Sequence, residues 1–450
     1  MSALDILNIY LSFFEKRGHK RIENSSLVPK DDPTTLFTSS GMQSIIKYLL
    51  GEPHMQGKRL VNVQNCFRAA DIEDIGDNRH TTFFRMLGNW SLGDYFKAEQ
   101  IPWFWEFLVN ELKLDPKRLY VSVFNGYKNI SRDEESAAIW KDLFNKAGIE
   151  PEGRIFYCGV NDNWWSRSGT PDEMPEGEPG GPDTEVYFDF RPEEPLKGSL
   201  DENVKSGRLL EIGNSVFMTY KKSNEEFVEL PQKNVDFGGG LERLLATVED
   251  KEDIFQTSLF SPVISAIEKV MNKSYKDEKE KMRVVADHLR SVVYITSDKV
   301  VPSNKEQGYV LRRLIRRAVD NLDSSDLEEI LKTIVEQYKD TDPKLLENFE
   351  LIKNTILQEA TKYNKSMDEA KKFIEKEFNI VINNNIDFMN KMDQIAHPKI
   401  NAEQAFNLYS SHGLSPAQMK KFGFRFDEQT LADKIKEHQK KSREGAKKKF

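Results

Sequence analysis

The chain has 450 residues, of which 38% are hydrophobic and 31% are charged, and its net charge at pH 7 is −8. This length allows several domains with real hydrophobic cores, and the acidic balance means that any nucleic-acid contact must come from local basic patches. No apolar run is long enough to span a membrane, and two cysteines cannot form a disulfide framework, so we expect a cytoplasmic protein without a membrane partner.

The first predicted element is an amphipathic helix over residues 2–17. Apolar side chains recur there at helical spacing, and Ser2 with Asp5 makes a capping box. Later β-rich runs predict buried strands at Leu119–Phe124 and Leu209–Tyr220.

The segment Phe67–Phe96 reads FRAADIEDIGDNRHTTFFRMLGNWSLGDYF. It predicts a strand, an acidic loop that turns at Gly76, and a second strand. Arg68 precedes the loop and Arg79 follows it, so a hairpin would bring two guanidinium groups to one loop mouth, where they could bind phosphate. From spacing alone, a surface hairpin with solvated charges is an equally good interpretation.

This segment resembles motif 2 of the class II aminoacyl-tRNA synthetases, and RHTTFFRMLGNWSLGDYF is similar to the matching segment of alanyl-tRNA synthetases. The resemblance implies an α/β fold with an antiparallel sheet flanked by helices, followed by an all-helical domain. It implies an aminoacylation catalytic domain over residues 1–253 and a tRNA acceptor-stem recognition domain over residues 254–450. It also assigns ATP binding in this segment to Arg68, Arg79, His80, Phe84 and Met86.

A second motif lies at Asn234–Glu249, NVDFGGGLERLLATVE. It predicts a strand that ends at Asp236, a glycine turn, and a helix from about Leu241. A glycine run before a helix is usually only a tight turn, but an arginine in the first helical turn, Arg243, indicates an anionic partner. The string resembles class II motif 3, which implies that Arg243 stacks on adenine and faces the triphosphate, with Gly240 beside the ATP.

The segment over residues 163–190, with paired tryptophans and many glycines and prolines, predicts an ordered loop before a β-rich run. It resembles the family's loop beside the amino-acid pocket, and Leu209–Tyr220 resembles the strand that contacts alanine. A lone asparagine in a strand is otherwise more often structural. The implied alanine-binding residues are Arg68, Trp165, Asn214, Val216, Asp236 and Gly238. The implied catalytic residues are Arg68, Asp236 and Arg243, and the implied Mg²⁺ ligands are Glu185 and Glu211.

Beyond residue 255 the sequence predicts helices with few glycines, and four arginines cluster in one of them. Their i,i+4 spacing places them on one broad face, which suits phosphate, although charge runs are usually solvated. The block resembles the family's tRNA-recognition region, in which an asparagine reads the acceptor-stem G·U pair. Ser410 stands where the family has its partner aspartate. The implied tRNA-binding residues are Asn304, Arg312, Arg313, Arg316, Arg317 and Ser410.

Residues 325–396 predict long charged helices with a break at Asn383–Asn385. No His-x-x-x-His pair occurs, and two cysteines cannot complete the family's editing zinc site, so we expect no zinc site and no editing by this chain.

The resemblance implies ATP-dependent activation of L-alanine to alanyl-adenylate and transfer to the 3′ end of tRNA(Ala), with Mg²⁺ on the phosphates and the protein a monomer. Two other interpretations remain. An RNA-binding adaptor without catalysis is disfavoured by the presence of Arg68, Asp236 and Arg243. An enzyme that passes its adenylate to another acceptor is disfavoured by the arginine cluster and Asn304.

Overall fold

In a computed structural model, the described part of the chain comprises residues 1–29, 35–224, 226–322, 324, 326–378, 399–412 and 414–447. Two compact units are present, Met1–Leu357 and Gln358–Phe450. The predicted boundary between a catalytic domain (residues 1–253) and a tRNA-recognition domain (residues 254–450) is a functional division, and it stays a prediction. The break predicted at Asn383–Asn385 lies outside the described residues. Across the described ranges, no helix combines the length and the apolar character needed to cross a membrane.

Nine strands of the described chain form one sheet with the order β1-β2-β3-β9-β8-β7-β4-β5, and β6 pairs with β7. The β1–β2 and β4–β5 pairs are parallel and the other pairs are antiparallel. The strands are β1 (Lys20–Arg21), β2 (Arg59–Phe67), β3 (Phe83–Leu92), β4 (Leu119–Phe124), β5 (Ile155–Cys158), β6 (Trp164–Ser166), β7 (Pro179–Asp189), β8 (Leu209–Ser223) and β9 (Glu226–Gly240).

The helices complete the α/β fold predicted above, which is confirmed. Helix α1 (Ala3–Glu15) precedes the first strand, and those between the strands are α2 (Ile46–Leu49), α3 (Lys97–Glu106), α4 (Glu134–Lys146) and α5 (Leu200–Lys205). Those that follow the sheet are α6 (Leu241–Val248), α7 (Ser261–Met271), α8 (Lys279–Ser297), α9 (Glu306–Leu322), α10 (Glu328–Tyr338), α11 (Lys344–Glu347), α12 (Phe349–Phe378), α13 (Ala402–His412), α14 (Pro416–Lys421) and α15 (Glu428–Lys447).

Helix α1 confirms its prediction, since Ser2 and Asp5 form the reciprocal capping box. Aromatic side chains of the helices cover one face of the sheet. Phe237 of β9 lies 6.2 Å from the ring of Tyr10 and 4.6 Å from that of Phe104, measured between centroids. Because side chains alternate along a strand, Asp236 next to it projects from the opposite face. That opposite face carries the candidate site.

The turn predicted after Asp236 is wrong, because β9 continues through the three glycines to Gly240. Gly238 pairs in register with Gly88 of β3. A Cβ added at Gly238 would lie 3.2 Å from Sδ of Met86, and one added at Gly88 would lie 2.5 Å from the indole of Trp90. These glycines therefore allow large side chains to lie flat on the strands.

The loop predicted over residues 163–190 is wrong at its start, where β6 forms and pairs with β7, whereas the β-rich run predicted at its end is present in β7. A Cβ added at Gly181 of β7 would lie 2.1 Å from the carbonyl oxygen of Phe217 on β8. The glycines of this segment, whose number is typical of a loop, thus permit close approach of neighbouring strands.

The second compact unit has its own core. Its buried apolar side chains come from α12 to α15 and the segments between them: Ala370, Ile374, Ile400, Ala405, Leu408, Leu414, Met419, Phe424 and Leu431.

Candidate active site

Asp236 lies in the centre of the open sheet face. It pairs in register with Trp90 on β3 and with Val216 on β8. The indole Nε1 of Trp90 donates a hydrogen bond of 2.6 Å to Oδ1 of Asp236. Burial raises the pKa of Asp236 to about 7, although the bond from Trp90 opposes this rise. A carboxylate here is costly without a cation, so the position suits a positively charged ligand.

Asn214 and Gly238 form the next row of the same face, since they pair across β8 and β9. The Nδ2 of Asn214 donates to Oε1 of Glu185 at 3.2 Å, while its buried Oδ1 accepts no hydrogen bond from the described residues. Trp165 packs against the apolar cluster that contains Val216. The structure thus brings together the predicted alanine-pocket residues of β6, β8 and β9.

A group of carboxylates borders this pocket on β7 and β8. Burial raises the pKa of Asp183 to about 8. Burial, followed by the charges of Glu211 and Asp183, raises the pKa of Glu185 well above its usual value. The hydroxyl of Tyr187 also donates to Glu185. Ionising these carboxyl groups is costly here unless a cation lies beside them, so the pocket rim favours a positively charged ligand.

Arg243 approaches the same rim from the first turn of α6. Its Nη1 donates to Oε2 of Glu211 at 2.6 Å and to the Glu211 carbonyl oxygen at 3.1 Å. Its side chain runs over Gly240, where an added Cβ would lie 3.6 Å from Cγ and Cδ of Arg243. The bare backbone at Gly240 therefore leaves room for this arginine beside the sheet.

Arg68 lies at the other end of the open face, directly after β2. It is exposed, its guanidinium carbon lies 4.8 Å from the ring centroid of Phe84, and its Nε donates to the carbonyl oxygen of Ser39 at 3.3 Å. Next to Phe84 on the same strand face, Met86 accepts a hydrogen bond of 3.3 Å from the N–H of Gly41 through its Sδ. This leaves Arg68 accessible above an aromatic ring.

The loop between β2 and β3 gathers further cations. Burial raises the pKa of Asp71, while the charges of Arg68, His80 and Arg243 lower it. Burial alone would raise the pKa of Asp77, but hydrogen bonds from His80 and Arg79 lower it to about 2. Within the loop, Asp77 therefore orients Arg79 and His80 through hydrogen bonds.

Arg79 is placed differently from Arg68. Its guanidinium donates to the carbonyl oxygens of Val204 and Lys205 at the end of α5, the second at 3.3 Å. The predicted hairpin is present, but these contacts direct Arg79 toward α5. Its part in ATP binding stays a prediction.

Of the four predicted RNA-binding arginines of α9, Arg316 is half-buried and the other three make two kinds of contact. Arg312 donates to Oδ1 of the exposed Asn304. Arg313 and Arg317 both form ion pairs with Glu73 of the loop between β2 and β3, as their i,i+4 spacing allows. Ser410 lies in α13, in the second compact unit, and its hydroxyl donates to the carbonyl oxygen of Phe406 at 2.8 Å.

Sequence reasoning missed Glu242, which precedes Arg243 and is 2% exposed. Its carboxylate accepts hydrogen bonds of 3.2 and 3.1 Å from the backbone N–H of Arg85 on β3 and forms an ion pair with Arg290 of α8. It thereby ties α6, β3 and α8 together. An acidic residue in the first turn is ordinary helix chemistry, so its burial could not be read from the sequence.

The family model described as tRNA synthetases class II (A) matches residues 5–450. The alanine--tRNA ligase of Borrelia hermsii is 36% identical to this chain over 458 residues, which cover 98% of this chain and 73% of that protein. This chain belongs to the alanine--tRNA ligase family of class II tRNA synthetases. The resemblance seen in motifs 2 and 3 is confirmed.

Other family members are similarly close. The alanine--tRNA ligase of Treponema pallidum is 38% identical over 458 residues, with 98% of this chain and 72% of that protein covered. Among solved structures, the apo histidyl-tRNA synthetase of S. aureus has a TM-score of 0.33 and 14% identity, over 56% of this chain and 67% of that one. That structural likeness is too weak to support an argument about this chain, so its family membership rests on the sequence matches.

Proposed function

We propose that this enzyme activates L-alanine with ATP and transfers it to the 3′ end of tRNA(Ala). The observation that carries the proposal is the pair of buried acceptors on adjacent strands, the Asp236 carboxylate and Asn214 Oδ1. An amino acid's ammonium group supplies a charge and donors for both, which would remove the cost of leaving them buried without a cation. Trp165 and Val216 would bound the methyl side chain.

In the activation step, a carboxylate oxygen of alanine attacks the α-phosphorus of ATP and pyrophosphate leaves. We assign Arg68 to the α-phosphate and the alanine carboxylate, because a permanently charged planar donor stabilises the charge that develops between them. Arg243 would stack on adenine and face the γ-phosphate, with Gly240 letting the nucleotide approach the backbone. His80, Phe84 and Met86 would complete the nucleotide site, with Arg79 at its edge.

Mg²⁺ is expected with ATP, and we propose Glu185 and Glu211 as its ligands. In the part of the chain described, no group of three or more His, Cys, Asp or Glu side chains is arranged to hold a metal. Two carboxylates still suit Mg²⁺, which commonly takes one or two from the protein and the rest from phosphates and water. Their oxygens already accept from Asn214 and Arg243. When bound, the ion would neutralise phosphate charge.

For the transfer step, a hydroxyl of the terminal adenosine attacks the alanyl carbonyl and AMP leaves. We propose residues 1–253 as the catalytic domain and residues 254–450 as the region that recognises the acceptor stem, through Asn304, the arginines of α9 and Ser410. The wide, shallow minor groove of an RNA helix admits short polar side chains such as those of Asn304 and Ser410. We further propose a cytoplasmic monomer in which this chain contributes no editing site.

Glycine should be activated to a measurable extent. A pocket distinguishes substrates that differ by one methylene by only about 1–3 kcal/mol, which is about 10- to 200-fold in kcat/KM. We therefore expect glycine-dependent ATP–pyrophosphate exchange at high glycine concentration, measured beside alanine and valine. Absence of exchange with glycine at saturating concentration, from enzyme active with alanine, would contradict the proposed pocket.

The pKa of Asp236, raised to about 7 by burial, predicts two opposite pH dependences. The kcat/KM for alanine should rise as the pH increases through about 7, because only the ionised carboxylate binds the ammonium group. The free energy of unfolding without ligand should fall as the pH increases from about 4 to 7, because the folded state holds this proton more tightly than the unfolded chain. Both dependences, measured by exchange kinetics and denaturant titration, should be weaker in Asp236→Asn by the contribution of this one carboxyl group.

The proposed function is tested by alanine-dependent ATP–pyrophosphate exchange followed by charging of tRNA(Ala). Exchange and charging together support the proposal. Binding of tRNA without exchange would favour the adaptor interpretation, and exchange without charging would favour a different acceptor for the adenylate.

A further inference from the structure

The loop between β2 and β3 is held at its exit by buried hydrogen bonds to α8. The side chain of Asp287 accepts from the N–H of Thr82 at 2.8 Å and from the Thr82 hydroxyl at 2.7 Å. Arg283 of the same helix donates to the carbonyl oxygen of Gly76 at 3.0 Å. The half of the loop that leads into β3 therefore has a fixed position relative to α8.

The entry of the loop is held by a more exposed contact. The two carboxylate oxygens of Glu73 each pair with one arginine of α9, Oε1 with Arg313 and Oε2 with Arg317. The side chain of Glu73 is 63% exposed, whereas those of Arg313 and Arg317 are 37% and 27% exposed. Such exposed pairs contribute little to stability, so the contact matters for where the loop lies rather than for whether the protein folds.

Glu73 is the last residue of a short 3₁₀ helix, Ala69–Glu73, and Arg68 is the residue that precedes its first turn. The N–H of Asp71 donates to the carbonyl oxygen of Arg68 at 3.4 Å, and the N–H of Asp74 donates to that of Asp71 at 3.0 Å. The backbone from Arg68 to Glu73 is thus a single hydrogen-bonded unit, and fixing one end constrains the direction of the other.

We propose that Glu73 is a positioning residue for nucleotide binding: clamped by Arg313 and Arg317, it fixes the 3₁₀ helix that sets Arg68 over the sheet. This rests on the proposed function, in which Arg68 binds the α-phosphate. Arg313 and Arg317 then serve the ATP site in addition to the RNA contacts proposed for the arginines of α9.

The test compares Glu73→Gln with Asp74→Asn, which removes the same charge one residue away. Asp74 is exposed and forms no ion pair in the part of the chain described. For Glu73→Gln we expect the KM for ATP in alanine-dependent exchange, and the Kd for ATP by calorimetry, to rise about 5- to 10-fold, within the range of measured pairwise couplings. The Tm should stay at the wild-type value, and in Asp74→Asn the KM for ATP, the Kd for ATP and the Tm should all match the wild type.

A double-mutant cycle with Arg317→Gln completes the test. If Glu73 and Arg317 act through one contact, the double variant should have the same Kd for ATP as the single variant that binds ATP less tightly. The proposal is overturned if Glu73→Gln binds ATP as Asp74→Asn does, if the effects add, or if Arg317→Gln changes only the KM for tRNA. If the wild-type protein bound ATP but showed no alanine-dependent exchange, the proposed function would be refuted. The effect of Glu73 on ATP binding could still be tested, because the Kd for ATP is measured directly.

Discussion

Asp236→Asn should lower kcat/KM for alanine by about 30- to 5,000-fold, because removing one partner of a buried, hydrogen-bonded charge pair typically costs about 2–5 kcal/mol. The change should appear mainly in the KM for alanine, since the ammonium group is bound equally in the ground and transition states. The asparagine retains an oxygen that can accept from Trp90, so the sheet around it should be preserved. Exchange kinetics at pH 8 measure the effect.

Measuring the free energy of unfolding of Asp236→Asn distinguishes loss of alanine binding from loss of folding. At pH 8 the wild-type carboxylate is ionised in a buried position, so Asp236→Asn should be at least as stable to denaturant as the wild type. Asp133→Asn is the matched control, because Asp133 is also buried and ionically paired, with Lys97 at 2.7 Å, but lies outside the pocket. The control should lose stability and keep its KM for alanine. A wild-type KM in Asp236→Asn would remove Asp236 from the substrate site.

Arg68→Gln should reduce kcat for exchange by about 100- to 1,000-fold, the range found when one preorganised donor to a developing charge is removed. Arg68 is exposed, and its side chain contacts the described residues through one long hydrogen bond and one aromatic ring, so the variant should fold normally. Arg68→Lys should recover only a small part of the rate, because an ammonium group cannot donate two parallel bonds.

The control for Arg68→Gln is Arg21→Gln, which removes an exposed arginine paired with Glu15 at the edge of the sheet. It should keep the wild-type kcat. If Arg68→Gln also kept it, the assignment of Arg68 to the reacting phosphate would be wrong.

Local chemistry made some elements predictable. The capping box of α1 and the strand–loop–strand of motif 2 depend on neighbours in sequence, and both are present. The end of β9 was not predictable, because the glycines after Asp236 have the composition of a turn. What keeps them in the strand is their pairing with β3, more than 140 residues earlier in the chain, where Gly238 also leaves room for the side chain of Met86.

The candidate site shows the same limit. Motif resemblance named Asp236, Asn214 and Arg243, and the structure brings them to one face of the sheet. Motif resemblance could not single out Glu73 or Glu242, because the role of each depends on a contact with an arginine in a helix distant in sequence. Charge runs such as that of α9 fit solvent, RNA or an internal acid equally well by sequence, and only the fold shows that Glu73 is the partner of two of these arginines.

The most direct test of the account is to form the adenylate from ATP and alanine, isolate the enzyme-bound product, and then add tRNA(Ala) without ATP. The account predicts that labelled alanine remains with the enzyme after the first step and moves to the 3′ end of the tRNA in the second. Failure of the isolated enzyme to retain labelled alanine, or retention without transfer to tRNA(Ala), would contradict it.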